Sequence, residues 1–585
     1  MSASVSSNSV TDGGRVEHRT DRLRHIATRV GPFLLTWLIL LGYSLRQAPI
    51  PAVNEPAYLG KAKHFWDPTY CPGDEFFDSS NPHLIFYLTL GPLTQLMSLF
   101  GVALIGRIVG YGLMAWGWSA LCFALTRVRW LPPLAVSLFL VLHMTGTFSG
   151  EWIVGGIEGK VFAYGFTFWA IAAVLTGRRG LAGFLLGLAI CFHAVVGCWA
   201  VLAAAVATIA DFSIPSGRRT SPAERNSWRG WLAMAALLGV TALPGIVPAL
   251  GAVAGSENPL INQQANFIHV FIRIKHHVDP MQFRTFAFQL YFGLFVAWII
   301  LLRYRRSPVQ SDNPRPDCRW FHWFVAATLA FLIAGLLIGW RSGEAADMPW
   351  QPLRTWLLKF YPFRLGDVFL PVAVSILVAE RLLLWCDRRE VAVGGAGDVN
   401  THDSDAVASR VRYVPAVLVG MLAASLAIGV ATPDANPSRM PPRMKRDWID
   451  LCRWIDENTP PDALIQAPVR DWAFKWFAQR AQFYSYKDCP QGAEEIVAWY
   501  QRRQRMRDWS YEFYDGSFSA EDLAALHDLT GIDYLIAYRR GPFEIDPVYR
   551  NDSFRIYRTD GAIGNDTEVS DNSGVDGDSF GPPQQ

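Results

Sequence analysis

"LAGFLLGLAICFHAVVGCWAVLAAAVATIA", residues 181–210, contains no Asp, Glu, Lys or Arg, and its reading decides the topology. One helix of that length would reach about 45 Å, well beyond the roughly 30 Å of hydrocarbon in a bilayer. His193 and Gly197 lie near its middle, so the stretch reads as two short crossings with an outside apex. Charge supports that division. A double crossing returns Arg218, Arg219, Arg225 and Arg229 to the cytoplasmic side, together with Arg303, Arg305, Arg306, Arg388, Arg389, Arg410 and Arg412. A single crossing would put all of them outside, against the positive-inside rule.

Working outward, the other apolar windows fall at 30–45, 104–125, 131–148, 161–176, 230–250, 284–302, 319–339, 367–385 and 412–431. With the divided stretch they predict an α-helical polytopic membrane protein of about eleven crossings, N-terminus in and C-terminus out. The expected organisation is a basic cytoplasmic tail (1–29), a transmembrane domain (30–431) with outside loops at 46–103, 149–160, 251–283 and 340–366, and a cytoplasmic linker at 386–411. Arg15, Arg19, Arg22, Arg24 and Arg29 precede the first span, which has no small-residue cleavage site and reads as an uncleaved anchor. The segment 84–100 follows Asn81-Pro82 and almost touches the next run, so it reads as an interfacial helix outside the membrane.

Composition agrees: 51% hydrophobic residues suit a membrane chain, and a net charge of +2 is too small to imply a nucleic-acid partner. Residues 440–559 read as a small exported α/β domain. Trp448, Leu451, Cys452 and Ile455 recur at helical spacing, "SAEDLAALHDLTG" is a capped helix, and "ALIQAPV", "IDYLIAYR" and "FRIYR" are strands. Cys452 and Cys489 either pair in an oxidising compartment or stay as two buried thiols. The acidic stretch 560–585 reads as a disordered tail.

Charged residues crowd the outside loops. Glu55 is followed by Pro56, with Tyr58, Ala62 and Phe65 at helical spacing, so it opens a short helix. A helix N-terminus holds a carboxylate ionised, which suits either a general base or a plain N-cap. Asp67, Asp74, Glu75 and Asp78 share a Pro- and Gly-broken loop where their oxygens either meet at a divalent ion or are simply solvated. Their spacing matches no specific metal pattern, and no other cofactor is indicated. "GGIEGK" (155–160) lacks the spacing of a phosphate-binding loop.

"NEPAYLGKAKHFWDP" (54–68), then "NPHLIFYLTLGPLTQLMSLFG" (81–101) and a long span near Arg107, resembles the opening of the GT-C superfamily of polytopic glycosyltransferases, such as protein mannosyltransferases and the aminoarabinose transferase of lipid A. The resemblance covers about residues 30–130 by motif. Asn54-Glu55 stands where the family has Asp-Glu, and His83 where it has the Lys of a Lys-Pro-Pro-like motif. It implies that a carboxylate in the first outside loop, here Glu55, deprotonates or positions an acceptor hydroxyl, which displaces a polyprenyl phosphate from the sugar's anomeric carbon. The implied partners are membrane lipid and a polyprenyl-phosphate sugar donor in a bacterial inner or plasma membrane.

The leaving phosphate then needs cations near the membrane surface. Arg364, Arg341, Arg273, Lys275 and His276 are placed for that, with interface anchoring the alternative for Arg364 and an amphipathic surface helix for the 273–277 group. Glu158 and Lys160 flank the third outside turn with Glu151, either as site residues or as a mutual pair, and His193 marks the apex of the divided stretch. His83, Asp74 and Asp78 complete the candidates. Three functions stay open: a membrane glycosyltransferase, a transporter or flippase, and a non-catalytic membrane protein whose exported domain binds a partner.

Overall fold

The computed structural model of the chain describes residues 13–52, 54–126, 128–213, 228–253, 255–305, 318–394, 420–424, 440–469 and 473–560. Most of the linker expected over 386–411, most of the span over 412–431 and the tail beyond residue 560 lie outside them, as do Arg218, Arg219 and Arg225.

The membrane part runs α1 (Gly13–Gln47), α2 (Glu55–Trp66), α3 (Glu75–Asp78), α4 (Leu84–Leu90), α5 (Leu99–Leu125), α6 (Leu131–Thr145), α7 (Gly159–Leu175), α8 (Arg179–Phe192), α9 (Ala194–Ser213), α10 (Trp228–Val253), α11 (Pro259–Phe267), α12 (Lys275–Val278), α13 (Thr285–Arg305), α14 (Arg319–Gly339), α15 (Gln351–Leu358) and α16 (Arg364–Gly394). Among the described residues six helices (α5, α9, α10, α13, α14 and α16) are long and apolar enough to cross a membrane, and α6, α7 and α8 are shorter apolar helices. Exposed apolar side chains such as Val240 and Leu250 of α10, Phe292 of α13 and Leu337 of α14 match a lipid-facing surface. The chain is an integral membrane protein.

The stretch 181–210 is divided at His193, where α8 ends and α9 begins. The segment after Asn81-Pro82 forms only the seven residues of α4 and a 3-10 turn over Gly91–Gln95, too short to span. Helix boundaries differ from the sequence reading, most at the two ends of the membrane part. α1 starts at Gly13, inside the expected basic tail, and α16 continues to Gly394, into the expected linker.

Small residues allow close helix approach. A Cβ on Gly117 of α5 would lie 2.2 Å from the Gly165 carbonyl oxygen of α7, and one on Gly183 of α8 would lie 2.1 Å from the Met234 oxygen of α10. The helix ends sort into two groups. Arg319 binds Asp211 at 2.6 Å at one end of the bundle, and the termini near Gln47, Gly159, His193 and Arg364 gather at the other.

The C-terminal region docks on that second end. It comprises α17 (Pro442–Asn458), β1 (Leu464–Gln466), α18 (Phe474–Ala478), β2 (Ala481–Gln482), α19 (Ala493–Glu512), α20 (Ala520–Thr530), β3 (Tyr534–Ala537), β4 (Tyr549–Arg550) and β5 (Arg555–Arg558). The sheet order is β2-β1-β3-β5-β4, with β1 parallel to β2 and β3, and β5 antiparallel to β3 and β4. Trp448, Leu451, Cys452 and Ile455 of α17 pack into one apolar cluster with Ile465 and Ile556, while α19 and α20 build another around Trp499, Trp509 and Leu526. Ser519 and Asp522 form a capping box on α20, which ends at Gly531 with φ of 72°. Cys452 and Cys489 sit in different clusters and are free thiols.

Gly117→Val tests the helix approach. Branched carbon against the Gly165 backbone has no flexible neighbour to displace, so the variant is expected to lose about 1–3 kcal/mol and to melt earlier in detergent, whereas Gly112→Ala, whose nearest neighbour is the Trp37 ring at 3.5 Å, melts like the parent.

Candidate functional site

A cavity of about 400 Å³ lies where the bundle end meets the C-terminal region. Its walls come from α2, the loop before α4, the irregular segment 146–158, the break at His193, residues 269–277, the start of α16 and residues 486–491.

Two buried carboxylates hold the 146–158 segment in place. Asp367 of α16 accepts from the Phe148 and Ser149 amides, both at 2.8 Å, and from the Ser149 hydroxyl at 2.6 Å. Glu55 accepts from the Ile157 amide at 2.8 Å. The segment then presents Glu151, Trp152 and Glu158 to the cavity. Lys160, in the first turn of α7, lies 2.9 Å from Glu158 and 3.9 Å from Glu151, with its ammonium 3.9 Å from the centre of the Trp152 ring. Arg364 opens α16. Its Nε is 3.1 Å from Glu151, its Nη1 is 3.1 Å from His193 Nε2, and its guanidinium covers the Tyr361 ring. The Asn54 amide donates to Glu158 at 2.9 Å. The Tyr58 hydroxyl and His83 Nε2 share a hydrogen bond of 3.2 Å.

Lys160, Arg273, Arg364 and Lys487 face Glu151 and Glu158 here, so the cavity has an excess of positive charge. Burial, reinforced by Arg364, lowers the His83 imidazole to about 4, and burial with Lys359 and Arg273 lowers His269 to about 3. Both rings are neutral near pH 7. Burial also brings Lys61 down to about 7, although its ammonium is ringed by the Phe76, Ser79 and Ser80 carbonyls and the Ser79 hydroxyl. A positively charged, partly apolar cavity at the membrane boundary suits an anionic headgroup, and the ion-paired Glu158 is a carboxylate available to take a proton.

Of the residues singled out from the sequence, Asn54, His83, Glu151, Glu158, Lys160, His193, Arg273, His276 and Arg364 line this cavity. Glu55, Asp74, Asp78, Lys275 and Arg341 do not. Glu55 is fully buried behind the wall, with its oxygens paired bidentately to Arg107 at 2.8 Å each and holding the Ala52 and Ile157 amides. A carboxylate with every strong acceptor direction filled and no access to solvent has no room to act as base, so the catalytic expectation for Glu55 is corrected to a structural one. Arg341 is held bidentately by Asp279, at 2.7 and 2.9 Å, outside the cavity, and Lys275 is exposed and not part of its wall. Asp74 is buried against Lys475, and Asp78 binds His64. The acidic loop has no shared centre: Asp67 turns to Thr69, Asp74 to Lys475, Glu75 to Arg502 and Asp78 to His64. Among the described residues no group of three or more His, Cys, Asp or Glu side chains could hold a metal ion.

Tyr58, Lys61, Trp152, His269, Tyr361 and the 486–491 segment are lining residues that sequence reasoning missed. Tyr58 shares helical spacing with Ala62 and Phe65 on α2, and Lys61 follows it by three residues on the same helix, the one local signal. His269 and Arg273 stand at either end of a π-helical turn, Ile268–Arg273, a geometry that hydropathy does not reveal.

A family model described as "Domain of unknown function (DUF6798)" matches residues 446–506. No curated protein matches the chain. Among solved structures, ArnT from Cupriavidus metallidurans bound to undecaprenyl phosphate aligns with 93% of this chain and 99% of its own at 12% identity and a TM-score of 0.49. The same protein in the apo state aligns with 94% and 100% at 13% identity and a TM-score of 0.46. The Archaeoglobus fulgidus oligosaccharyltransferase tethered with an acceptor peptide containing the NVT sequon aligns with 87% of this chain and 69% of its own, at 10% identity and a TM-score of 0.35.

The reassignment of Glu55 is testable by stability. Glu55→Gln leaves Arg107 as a buried, uncompensated charge, so the variant is expected to lose about 3–5 kcal/mol and to unfold at markedly lower temperature in detergent. An unchanged melting point would return Glu55 to the list of possible bases.

Proposed function

We propose that the chain is an integral membrane glycosyltransferase that moves a sugar from a polyprenyl-phosphate donor to an acceptor hydroxyl outside the cytoplasm. The observation that carries this reading is Glu158, Lys160, Glu151 and Arg364 forming one ion-paired row along a cavity at the bundle end. The motif resemblance over residues 30–130 supports the same chemistry.

In this reading Glu158 takes the proton of the acceptor hydroxyl as its oxygen bonds to the anomeric carbon. The bond from that carbon to the phosphate oxygen breaks in the same displacement, and the polyprenyl phosphate leaves with the electron pair. The configuration at the anomeric carbon inverts. Lys160 pairs with Glu158 at 2.9 Å, and Asn54 orients it through the 2.9 Å amide contact. Arg364 grips the departing phosphate, since a guanidinium offers two parallel donors where an ammonium acts as a point charge. His83, neutral and bonded to Tyr58, supplies a hydrogen bond and no charge.

Glu158→Gln keeps the side-chain shape and removes the base, so transfer of labelled sugar from a polyprenyl-phosphate donor, assayed below the variant's own melting temperature, should fall about a hundredfold to ten-thousandfold. Normal turnover in that variant would remove Glu158 from the mechanism. Arg364→Lys is expected to weaken binding of polyprenyl phosphate, and unchanged affinity would leave Arg364 as an interface anchor.

The membrane orientation belongs to the same proposal. Alkaline phosphatase fused after residue 440 is expected to be active and a fusion near residue 395 inactive. The reverse pattern would put the cavity on the cytoplasmic side and exclude an exported acceptor.

A further inference from the structure

The C-terminal region touches the membrane part through more than surface contact. Lys475 of α18 is 3% exposed and lies between two carboxylates, 2.8 Å from Asp74 and 2.9 Å from Asp488. Asp74 belongs to the first long loop, where it also caps α3 by accepting from the Phe77 amide. Asp488 belongs to the C-terminal region, and its neighbours Lys487 and Cys489 both line the cavity. Both carboxylates are nearly inaccessible, at 1% and 5%. Three charges this deep hold their geometry because each is unfavourable without the others.

The same 486–491 segment is fixed from a second direction. Arg273 donates to the Lys487 carbonyl at 2.9 Å, and the Tyr486 hydroxyl donates to the Arg273 carbonyl at 2.7 Å. Other ties fasten the domain as a whole. Glu495 accepts from the Ser80 amide and hydroxyl, and Arg502 pairs with Glu75. Loss of the Lys475 bridge therefore frees residues 488–491, while Tyr486 and Lys487 stay tied to Arg273 and the domain stays docked.

We propose that residues 486–491 form the acceptor-side wall of the cavity and that Lys475, through the Asp74–Lys475–Asp488 bridge, is its positioning residue. Glu158, Arg364 and His193 face the cavity from the ends of the apolar helices, the direction from which a lipid-linked donor arrives. The segment 486–491 belongs to the sheet-containing region that docks on that bundle end, so it meets a partner coming from outside the membrane. Lys475 and the wall both fall within residues 446–506, the stretch matched by the domain of unknown function, which gives that stretch a role in this chain: it completes the site. The word acceptor rests on the transferase reading; the wall does not.

The test uses full-length protein in detergent and reads maleimide labelling of Cys489 against Cys452 by peptide mass spectrometry. Cys489 lines the cavity, while Cys452 lies in the other apolar cluster and serves as reference. Lys475→Met should speed labelling of Cys489 about tenfold or more, as expected when a buried bridge is broken locally, with Cys452 unchanged. Neutralising all three partners (D74N, K475M, D488N) should restore most of the protection. Should Lys475→Met fail to fold, Asp488→Asn, which leaves Lys475 paired with Asp74, must show the same selective exposure. Equal labelling of Cys489 in variant and parent, or a parallel rise in both cysteines, overturns the positioning role. Polyprenyl phosphate binding should stay within about twofold of the parent in Lys475→Met; a loss of tenfold or more would put the wall on the donor side and overturn the acceptor assignment. None of these readouts needs turnover, so they report on the wall even where the transferase reading fails.

Discussion

The pair formed by Glu55 and Arg107, both completely buried, is the contact on which the site depends. Arg107 on α5 reaches Glu55 with two donors and the Ala48 carbonyl with a third, at 2.6 Å, while Glu55 accepts from the Ile157 amide. One ion pair thus joins the end of α1, the start of α2, the first turns of α5 and the segment that carries Glu158. Taking two charges out of water is costly, and here the cost is offset because almost every donor and acceptor direction is used. Asp367 performs the matching task at the other end of the same segment. Between these two anchors a stretch without regular secondary structure becomes rigid enough to aim Glu151 and Glu158 at Lys160 and Arg364.

Much of the fold was legible because its causes are local or periodic. The division of 181–210 followed from length against bilayer thickness and from arginine placement, and the helix break falls on His193. Helices α17 and α20 and the three longer strands followed from apolar spacing and from the Ser519 and Gly531 caps, whereas α18 and the long α19 were not read. Strands β2 and β4, of two residues each, carry no pattern long enough to read. Which carboxylate would be free and which paired was not legible at all. Glu55 and Glu158 look alike in sequence, each beside a helix start in a loop between apolar runs. What separates them is Arg107, fifty-two residues from Glu55 and brought to it only by packing. The same holds for Asp74, whose partner Lys475 comes from the far end of the chain.

Asn54 illustrates how the electrostatics of a site can favour an amide over an acid. Its side-chain amide donates to Glu158 at 2.9 Å. An aspartate at that position would set a second carboxylate against the first at hydrogen-bond distance, and like charges so close favour protonation of one of them. With Glu55 paired to Arg107 behind the wall, the carboxylate that reaches the cavity is Glu158, and the residues facing it, Asn54 and Lys160, are both donors. The amide at 54 and the glutamate at 158 are therefore one arrangement: a neutral donor at 54 bonds the carboxylate where a second acid would repel it.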